Sequence, residues 1–509
     1  MPTKRTGVLT MKKQNRLTIV TIILILVFVF SFPGFAQDYE RDHILVCFQK
    51  DVENVQPVVR NQIVQSGFRS FDALCQAFGV TRMERWLTSA TENDIDGEIK
   101  LMNIYRLKLS GNRSLEDAIT AFAKNEWIYD AEYEYIDKPD VFVAPYTPND
   151  PSLPSQWYIS KTMADWAWGL WTIFGQTPAD STIVVGVVDS GVQWDHPDLM
   201  ANIWVNPAED IDGDGVVGDF GTPANGGDED GIDNDGNGKI DDLIGWDLIG
   251  YNHNAPVEDN NPMPIASNAG HGTMVSGCAS GVADNGIGIA GVGYRIKILP
   301  VKCGADDGDP NIWRSTDGVL YAARTGADII NCSFGNYFYS GFAQSVYNTA
   351  YNVYGALTVA SAGNDGLDMD LPGNAHYPSN YNNVICVAGT NSDDSKAGDS
   401  NYGSAVDISA PYSNIYTTAM NSGYTSTGGT SFSSPITAGS LALLKSMYPD
   451  SGQVWLEDHL KLGADNIDAQ NPNYIGKLGA GRVNSFNATG QPMFPKIIYM
   501  THTMQILND

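Results

Sequence analysis

Ile183-Val184-Val185-Gly186-Val187-Val188-Asp189 is an unbroken apolar run that ends on a carboxylate and is followed by Ser190-Gly191. Because apolar residues do not alternate with polar ones, the run describes a strand buried on both faces. Similar runs follow: ILPVKC (298–303), IINCSF (329–334), LTVASA (357–362) and VICVAG (384–389). Helical patterns lie between or after them, at 271–282, near 312–325, near 342–354 and at 433–447. Strands of this kind separated by helices predict an α/β fold, a doubly wound parallel sheet with helices on both faces. In such sheets a ligand site lies beyond the carboxyl ends of the strands, where Asp189 sits.

Ahead of this region, 37–137 mixes strand and helix signals (HILVCF, VVRNQIV, LMNIYRLKL, SLEDAITAFAKN) and predicts a small α+β unit. Ser114, with Glu116 and Asp117 in the next turn, marks a helix start there. Residues 138–155, rich in Pro and Asp, read as an extended linker. The α/β domain then covers 156–490, and 491–509 begins a β-like run that is either a cap strand or the start of a further domain. Lys4, Arg5, Lys12, Lys13 and Arg16 precede a largely apolar run of fourteen residues, 17–30, and Gly34-Phe35-Ala36 supplies a small-x-small pattern. This predicts a secretory signal over 1–36, cleaved near Ala36, since the run is shorter than the roughly 20 residues of a spanning helix. No membrane association beyond the signal is expected, and the protein is expected to be a monomer.

With 59 acidic and 30 basic residues the chain carries a net charge of −29 and has no long basic run after its first sixteen residues, which excludes a nucleic-acid binder. The cysteines, Cys47, Cys75, Cys278, Cys303, Cys332 and Cys386, show neither metal-ligand nor CxxC spacing. Buried free thiols are expected, although an even number leaves bridges open.

Three polar residues stand at strand ends or helix starts. Asp189 closes its strand, His271 opens HGTMVSG, and Ser431 lies in GGTSFSSP, where Gly and Thr lead into a helix. A serine hydroxyl needs a base within hydrogen-bond reach, a neutral imidazole can serve, and a buried carboxylate can fix its tautomer. The order Asp, His, Ser in DSGVQWDHPDL, HGTMVSG, SAGNDG and GTSFSSP resembles the subtilisin family of serine proteases. The resemblance spans roughly 330 residues. It implies peptide-bond hydrolysis through an acyl-enzyme, with Asp189, His271 and Ser431 as the triad. Asn364 and the Ser431 N–H are implied as donors to the oxyanion. It further implies a protein or peptide substrate held along Ser333, Phe334 and Gly335, with Asn336 beyond them. Ala360, Ser361, Ala362 and Gly363 form the opposite wall of the pocket for the residue before the cleaved bond. Ser433 and Ser434 are nucleophiles by type only, because the GTS context selects Ser431. Residues 37–137 stand where the family keeps a propeptide, an intramolecular inhibitor removed by self-cleavage in the 138–155 linker. A catalytically dead scaffold serving as a calcium-binding module is the reading from another class. Acid-active relatives that use Glu and Asp are disfavoured by His271.

Residues 201–260 hold fifteen acidic side chains and one basic one, Lys239, so an acidic insertion centred on 205–247 interrupts the α/β pattern. DIDGDG (210–215) and DNDGNGKID (233–241) place oxygens at alternate residues ahead of glycines. They predict Ca²⁺ loops using Asp210, Asp212 and Asp214, and Asp233, Asp235, Asn237 and Asp241. Neither has a glutamate at the twelfth position of an EF-hand. The family resemblance implies a second Ca²⁺ site from Asp198, Asn285 and the carbonyls of Ile287 and Ile289, with Gln156 as a loosely aligned N-terminal ligand. No organic cofactor is expected. Gly286, Gly288 and Gly291 spell GxGxxG, but a helix precedes them instead of a strand, which argues against a dinucleotide site.

Overall fold

The computed structural model describes residues 39–53, 55–110, 114–135, 143–265 and 270–490. The signal segment, the C-terminal tail and the start of the linker lie outside the described residues. The chain divides into two compact units, with the boundary between residues 140 and 141.

In the second unit seven strands form one sheet in the order Trp246–Asp247, Lys297–Lys302, Val184–Asp189, Ile329–Cys332, Leu357–Ser361, Val384–Thr390 and Ile408–Pro411. Every neighbouring pair is parallel. The opening run shows why its strand had to be apolar throughout. Val185 and Val187 point into a core with Val275, Ile436 and Leu441 from helices His271–Ser280 and Thr430–Met447. Val184 and Val188 point the other way, into a core with Val319, Ala322 and Tyr347 from helices Ser315–Thr325 and Gly341–Asn352. At roughly 1.5 kcal/mol or more per fully buried valine, one polar replacement on either face would be felt. The expected architecture is present, with helices on both faces.

Helix Thr430–Met447 is buried along almost its whole length. It begins at Thr430, three residues before the expected 433, so Pro435 lies in its second turn. Proline has no N–H to give to the carbonyl four residues earlier, which is that of Ser431. The Ser333 hydroxyl donates to that carbonyl instead, at 2.8 Å. The helix can therefore start early.

The first unit carries a four-stranded antiparallel sheet in the order Val80–Arg85, Ile104–Leu109, Tyr39–Phe48, Ile128–Tyr135. Helices Arg69–Phe78 and Leu115–Ala123 pack on it through Phe48, Phe71 and Phe122. Ser114 caps the second helix, its hydroxyl accepting from the Asp117 N–H at 3.0 Å. The sequence reading singled out neither helix Arg69–Phe78 nor strand Val80–Arg85, although Phe71, Leu74, Cys75 and Phe78 recur at helical spacing. VVRNQIV forms not one element but a hairpin, turning on Asn61 and Gln62 at positive φ.

The linker is also less extended than expected. Val143 is buried in the core of the second unit, Tyr146 Oη donates to Asp284 at 2.7 Å, and the Ser152 N–H donates to the Gly288 carbonyl at 2.8 Å. Proline and aspartate there mark a strap bound to the body. All six cysteines are buried and unpaired.

Candidate functional site

Asp189 ends its strand in register with Lys302 and is fully buried. His271 is the first residue of its helix, and its Nδ1 lies 2.8 Å and 3.0 Å from the two Asp189 carboxylate oxygens. A carboxylate can only accept, so Nδ1 carries the proton and Nε2 keeps a lone pair for a substrate or nucleophile proton. Burial pulls the imidazole pKa down, but the Asp189 charge and hydrogen bond outweigh it and hold His271 above its ordinary 6.5. A third of its side chain stays exposed, enough for a reacting group to reach it.

Ser431 is the second residue of its helix, whose N-cap Gly429 sits at φ 139°, a region closed to side chains with a β-carbon. The next residue, Phe432, lies with its ring centroid 5.8 Å from that of His271, which brings the start of this helix beside the imidazole. Ser431 Oγ donates to the Ser333 carbonyl at 3.2 Å, its one hydrogen bond among the described residues. Ser433 and Ser434 are fully buried and bonded elsewhere, to the Ala410 and Pro411 carbonyls and to Asn331 and the Val359 carbonyl.

Asn364 lies beside this helix start. Its side-chain oxygen accepts from both the N–H and the hydroxyl of Thr430, at 2.8 Å and 2.9 Å. That fixes the amide and leaves its NH₂ end as a donor near the helix N-terminus, where the Ser431 N–H is also unbonded among the described residues. Thr430 thus acts as an orienting residue that reading the motif alone did not single out. Among the described residues the Ser333-Phe334-Gly335 edge carries no backbone ladder, and Asn336 instead pairs antiparallel with Tyr377 at 2.8 Å and 2.7 Å. Ala360 and Ser361 finish their strand; Ala362 and Gly363 continue it, tied by the Asn401 amide to the Ala362 carbonyl at 2.9 Å.

In the acidic insertion the carboxylates converge in two groups, Asp210 with Asp212 and Asp228, and Glu209 with Asp233 and Asp235. Asp228 stands where Asp214 was expected, since Asp214 turns to the Val216 N–H at 2.8 Å. Asn237 donates to Asp235 and Asp242, at 2.7 Å and 2.9 Å, and Asp241 accepts from the Asp230 and Gly231 N–H groups. Both brace the loop at the edge of the second group. Glu209 and Asp228 were not foreseen, and both are almost wholly buried. Each keeps one carboxylate oxygen without a partner among the described residues, Glu209 Oε2 and Asp228 Oδ2. Burial, with neighbouring carboxylates adding to it, pushes both pKa values up. A hard cation would satisfy these oxygens, so the donor set fits Ca²⁺.

At the other expected site Asp198 accepts from the Asn285 amide and the Ile289 N–H, both at 2.7 Å. The Ile287 and Ile289 carbonyls accept no hydrogen bond among the described residues. Gln156 does not join them, because its amide is used by the Ala290 N–H and carbonyl. Asp150 lies beside that site instead. It is buried, its Oδ1 has no partner among the described residues, its Oδ2 accepts from the Asp284 N–H at 2.7 Å, and burial followed by the nearby Asp198 charge raises its pKa to about 6. Gly288 of the GxGxxG pattern packs against Asp198 and Tyr424, with no room there for a nucleotide.

Residues 180–481 match the Subtilase family. The chain is 33% identical over 345 residues to thermitase of Thermoactinomyces vulgaris, covering 67% of this chain and 99% of that one. It is 31% identical over 406 residues to an extracellular protease of Xanthomonas campestris, covering 74% of this chain and 64% of that one. A solved protease of Pseudoalteromonas arctica superposes with a TM-score of 0.52 at 26% identity, over 68% of this chain and 99% of that one. Together with the geometry above, these matches make the chain a serine endopeptidase of the subtilase family.

Proposed function

We propose that peptide bonds are cleaved by Ser431 as nucleophile, His271 as general base and then acid, and Asp189 as the carboxylate that fixes the imidazole. Asn364 Nδ2 and the Ser431 N–H receive the oxyanion. The observation that carries this assignment is the buried Asp189 bonded to His271 Nδ1, which leaves Nε2 basic beside the helix start bearing Ser431. In the cycle Ser431 Oγ leaves the Ser333 carbonyl for Nε2, attacks the carbonyl carbon and passes its proton to His271. The amine departs with that proton, and water releases the acyl group by the same route. Ser333, Phe334 and Gly335 take the substrate backbone as an added strand, and Ala360 to Gly363 flank the side chain before the cleaved bond.

The protein is proposed to be secreted by the 1–36 signal, in keeping with the extracellular naming of one relative. Among the described residues no helix is long and apolar enough to cross a membrane. The unit at 37–137 acts as a propeptide. Because residues from Val143 onward are tied into the peptidase body, the maturation bond is placed ahead of Val143. Calcium is held by Asp150, Asp198, Asn285 and the Ile287 and Ile289 carbonyls, and by the two groups in the insertion. There it supplies charge neutralisation and cross-linking of loops.

Autoprocessing tests these assignments together. Residues 37–509 are expressed with calcium as wild type and Ser431→Ala, and mass and N-terminus are followed over time. Loss of a fragment of roughly a hundred residues by the wild type alone is expected for a propeptide within the size range of small domains. If both proteins stay intact and the wild type cleaves no peptide library, the nucleophile and propeptide assignments fail.

A further inference from the structure

Helix His271–Ser280 begins without a capping side chain of its own, because its N-cap residue is Gly270. The first N–H groups of a helix have no partner within it, and a serine at the cap normally accepts from the second or third of them. Here the cap comes from elsewhere in the chain. Ser190 Oγ accepts from the Gly272 N–H at 3.1 Å, across a separation of 82 residues. The same separation joins Asp189 to His271, so two consecutive residues at the strand end are bonded to two consecutive residues at the helix start. Ser190 also reaches back, its N–H donating at 2.7 Å to Asp189 Oδ1, the oxygen nearer to His271 Nδ1. One buried residue thereby holds the carboxylate through its backbone and the helix bearing the imidazole through its side chain.

The surroundings bring the two elements into close contact. A β-carbon built on Gly272 would lie 2.3 Å from the Gly191 carbonyl oxygen and 3.0 Å from Asp189 Cβ, so the helix start is pressed onto the strand end. A β-carbon on Gly304 would lie 2.8 Å from Ser190 Cα, so a further segment crowds the same turn. Packing fixes how near the two elements come, whereas a hydrogen bond, which weakens steeply off axis, fixes how they are aligned. Resting on the triad assigned above, we propose that Ser190 is a positioning residue that keeps the Asp189 carboxylate and the His271 imidazole aligned, by bonding both the carboxylate and the helix that carries the ring. It takes no part in the proton transfers. Its effect is on where His271 Nε2 stands when it meets the Ser431 proton, and a misplacement of about 1 Å can cost about 10²-fold in rate.

The test uses the full-length chain after maturation, with a peptide p-nitroanilide as substrate. Active sites are counted with a fluorophosphonate, which reacts with an activated serine. Ser190→Ala is expected to lower kcat per titrated site by about 10-fold or more, with KM within about 2-fold of the wild type. Ser190→Thr keeps the oxygen and is expected to stay within about 3-fold of the wild type in kcat. Ser190→Cys, close in size but a weak acceptor, is expected to fall between the two, and its difference from the threonine variant carries the test if the alanine variant does not fold. The low-field proton resonance of His271 Nδ1–H, read on the Ser431→Ala chain, is expected to move or broaden on adding Ser190→Ala and to stay in place with Ser190→Thr. A kcat for Ser190→Ala within about 3-fold of the wild type, or a loss confined to KM, overturns the proposal. So does an unmoved resonance, or an equal loss in the threonine and alanine variants, which would assign the effect to packing and not to the hydroxyl. Absence of titration and cleavage in the wild type instead overturns the triad assignment on which the proposal rests.

Discussion

Ser333 and Ser431 are bonded reciprocally: Ser333 Oγ donates to the Ser431 carbonyl at 2.8 Å, and Ser431 Oγ donates to the Ser333 carbonyl at 3.2 Å. The first bond satisfies the carbonyl that Pro435 deprives of its helical partner, and the second holds the Ser431 hydroxyl. Asn331, fully buried, donates to Ser333 Oγ at 2.9 Å and accepts from Ser434 Oγ at 2.7 Å, so the pair is anchored in the core. In the proposed cycle, substrate along the Ser333 edge would displace the second bond without disturbing the first. Ser333→Ala leaves the Ser431 carbonyl unpaired and is expected to lower stability by about 1–3 kcal/mol, read from urea unfolding of the Ser431→Ala background, which cannot digest itself.

Removing the oxyanion donor should act on kcat. Asn364→Ala is expected to reduce kcat by about 10²–10³-fold with KM little changed, because the donor acts on charge that exists only in the transition state. A change confined to KM would show that the amide binds ground-state substrate instead.

The His271 pKa sets the acid limb of the pH profile. Only neutral His271 can take the Ser431 proton, so kcat/KM is expected to rise with pH through a midpoint above the ordinary 6.5, because Asp189 holds the proton on the ring. For folding the sign is opposite. The Asp189 interaction with protonated His271 contributes stability that is complete below 6.5 and lost as pH rises through the higher folded value. Asp189→Asn should move the limb to lower pH and cut kcat about 10⁴-fold by spoiling the tautomer. A limb that does not move on this substitution excludes His271 as its origin.

Calcium should raise thermal stability. At a concentration about 1,000 times its Kd, one ion contributes about 4 kcal/mol, and EDTA should remove that contribution. Glu209→Gln and Asp228→Asn are each expected to weaken the calcium dependence of Tm, by calorimetry on the Ser431→Ala protein. Asp214→Asn, outside both groups, should leave it intact. Equal Tm with EDTA and with calcium would exclude a structural cation.

Lys302 is fully buried between Asp247 at 2.6 Å and Asp306 at 3.0 Å, on the strand that pairs in register with Asp189. Lys302→Met keeps the volume but strands two carboxylates, and is expected to cost about 3–5 kcal/mol in urea unfolding. The triple variant with Asp247→Asn and Asp306→Asn should recover part of that loss.

Sequence reading found the parts of the site that obey local rules. Asp189, His271 and Ser431 stand at a strand end and two helix starts, and the run at 183–189 announced a strand buried on both faces. Residues acting through distant partners gave no such signal. Asp150 looked like linker, although it packs beside Asp284 and Asp198. Glu209 and Asp228 stand outside the alternating DxDG pattern, and chain folding brings them to it. His376 lies in an unremarkable AHYP segment.

What the sequence by itself determined was the α/β architecture, together with the subtilase membership carried by the blocks around Asp189, His271, Asn364 and Ser431. The architecture depends on periodicity along neighbouring residues, and the membership on short motifs that stand in the family's order. The tertiary structure decided which oxygens converge, which carbonyl Pro435 leaves for Ser333, and which ring packs against Gly335 and Gly363. Those depend on distances between segments far apart in the chain, such as Gly335, Gly363 and His376, and no local pattern encodes them.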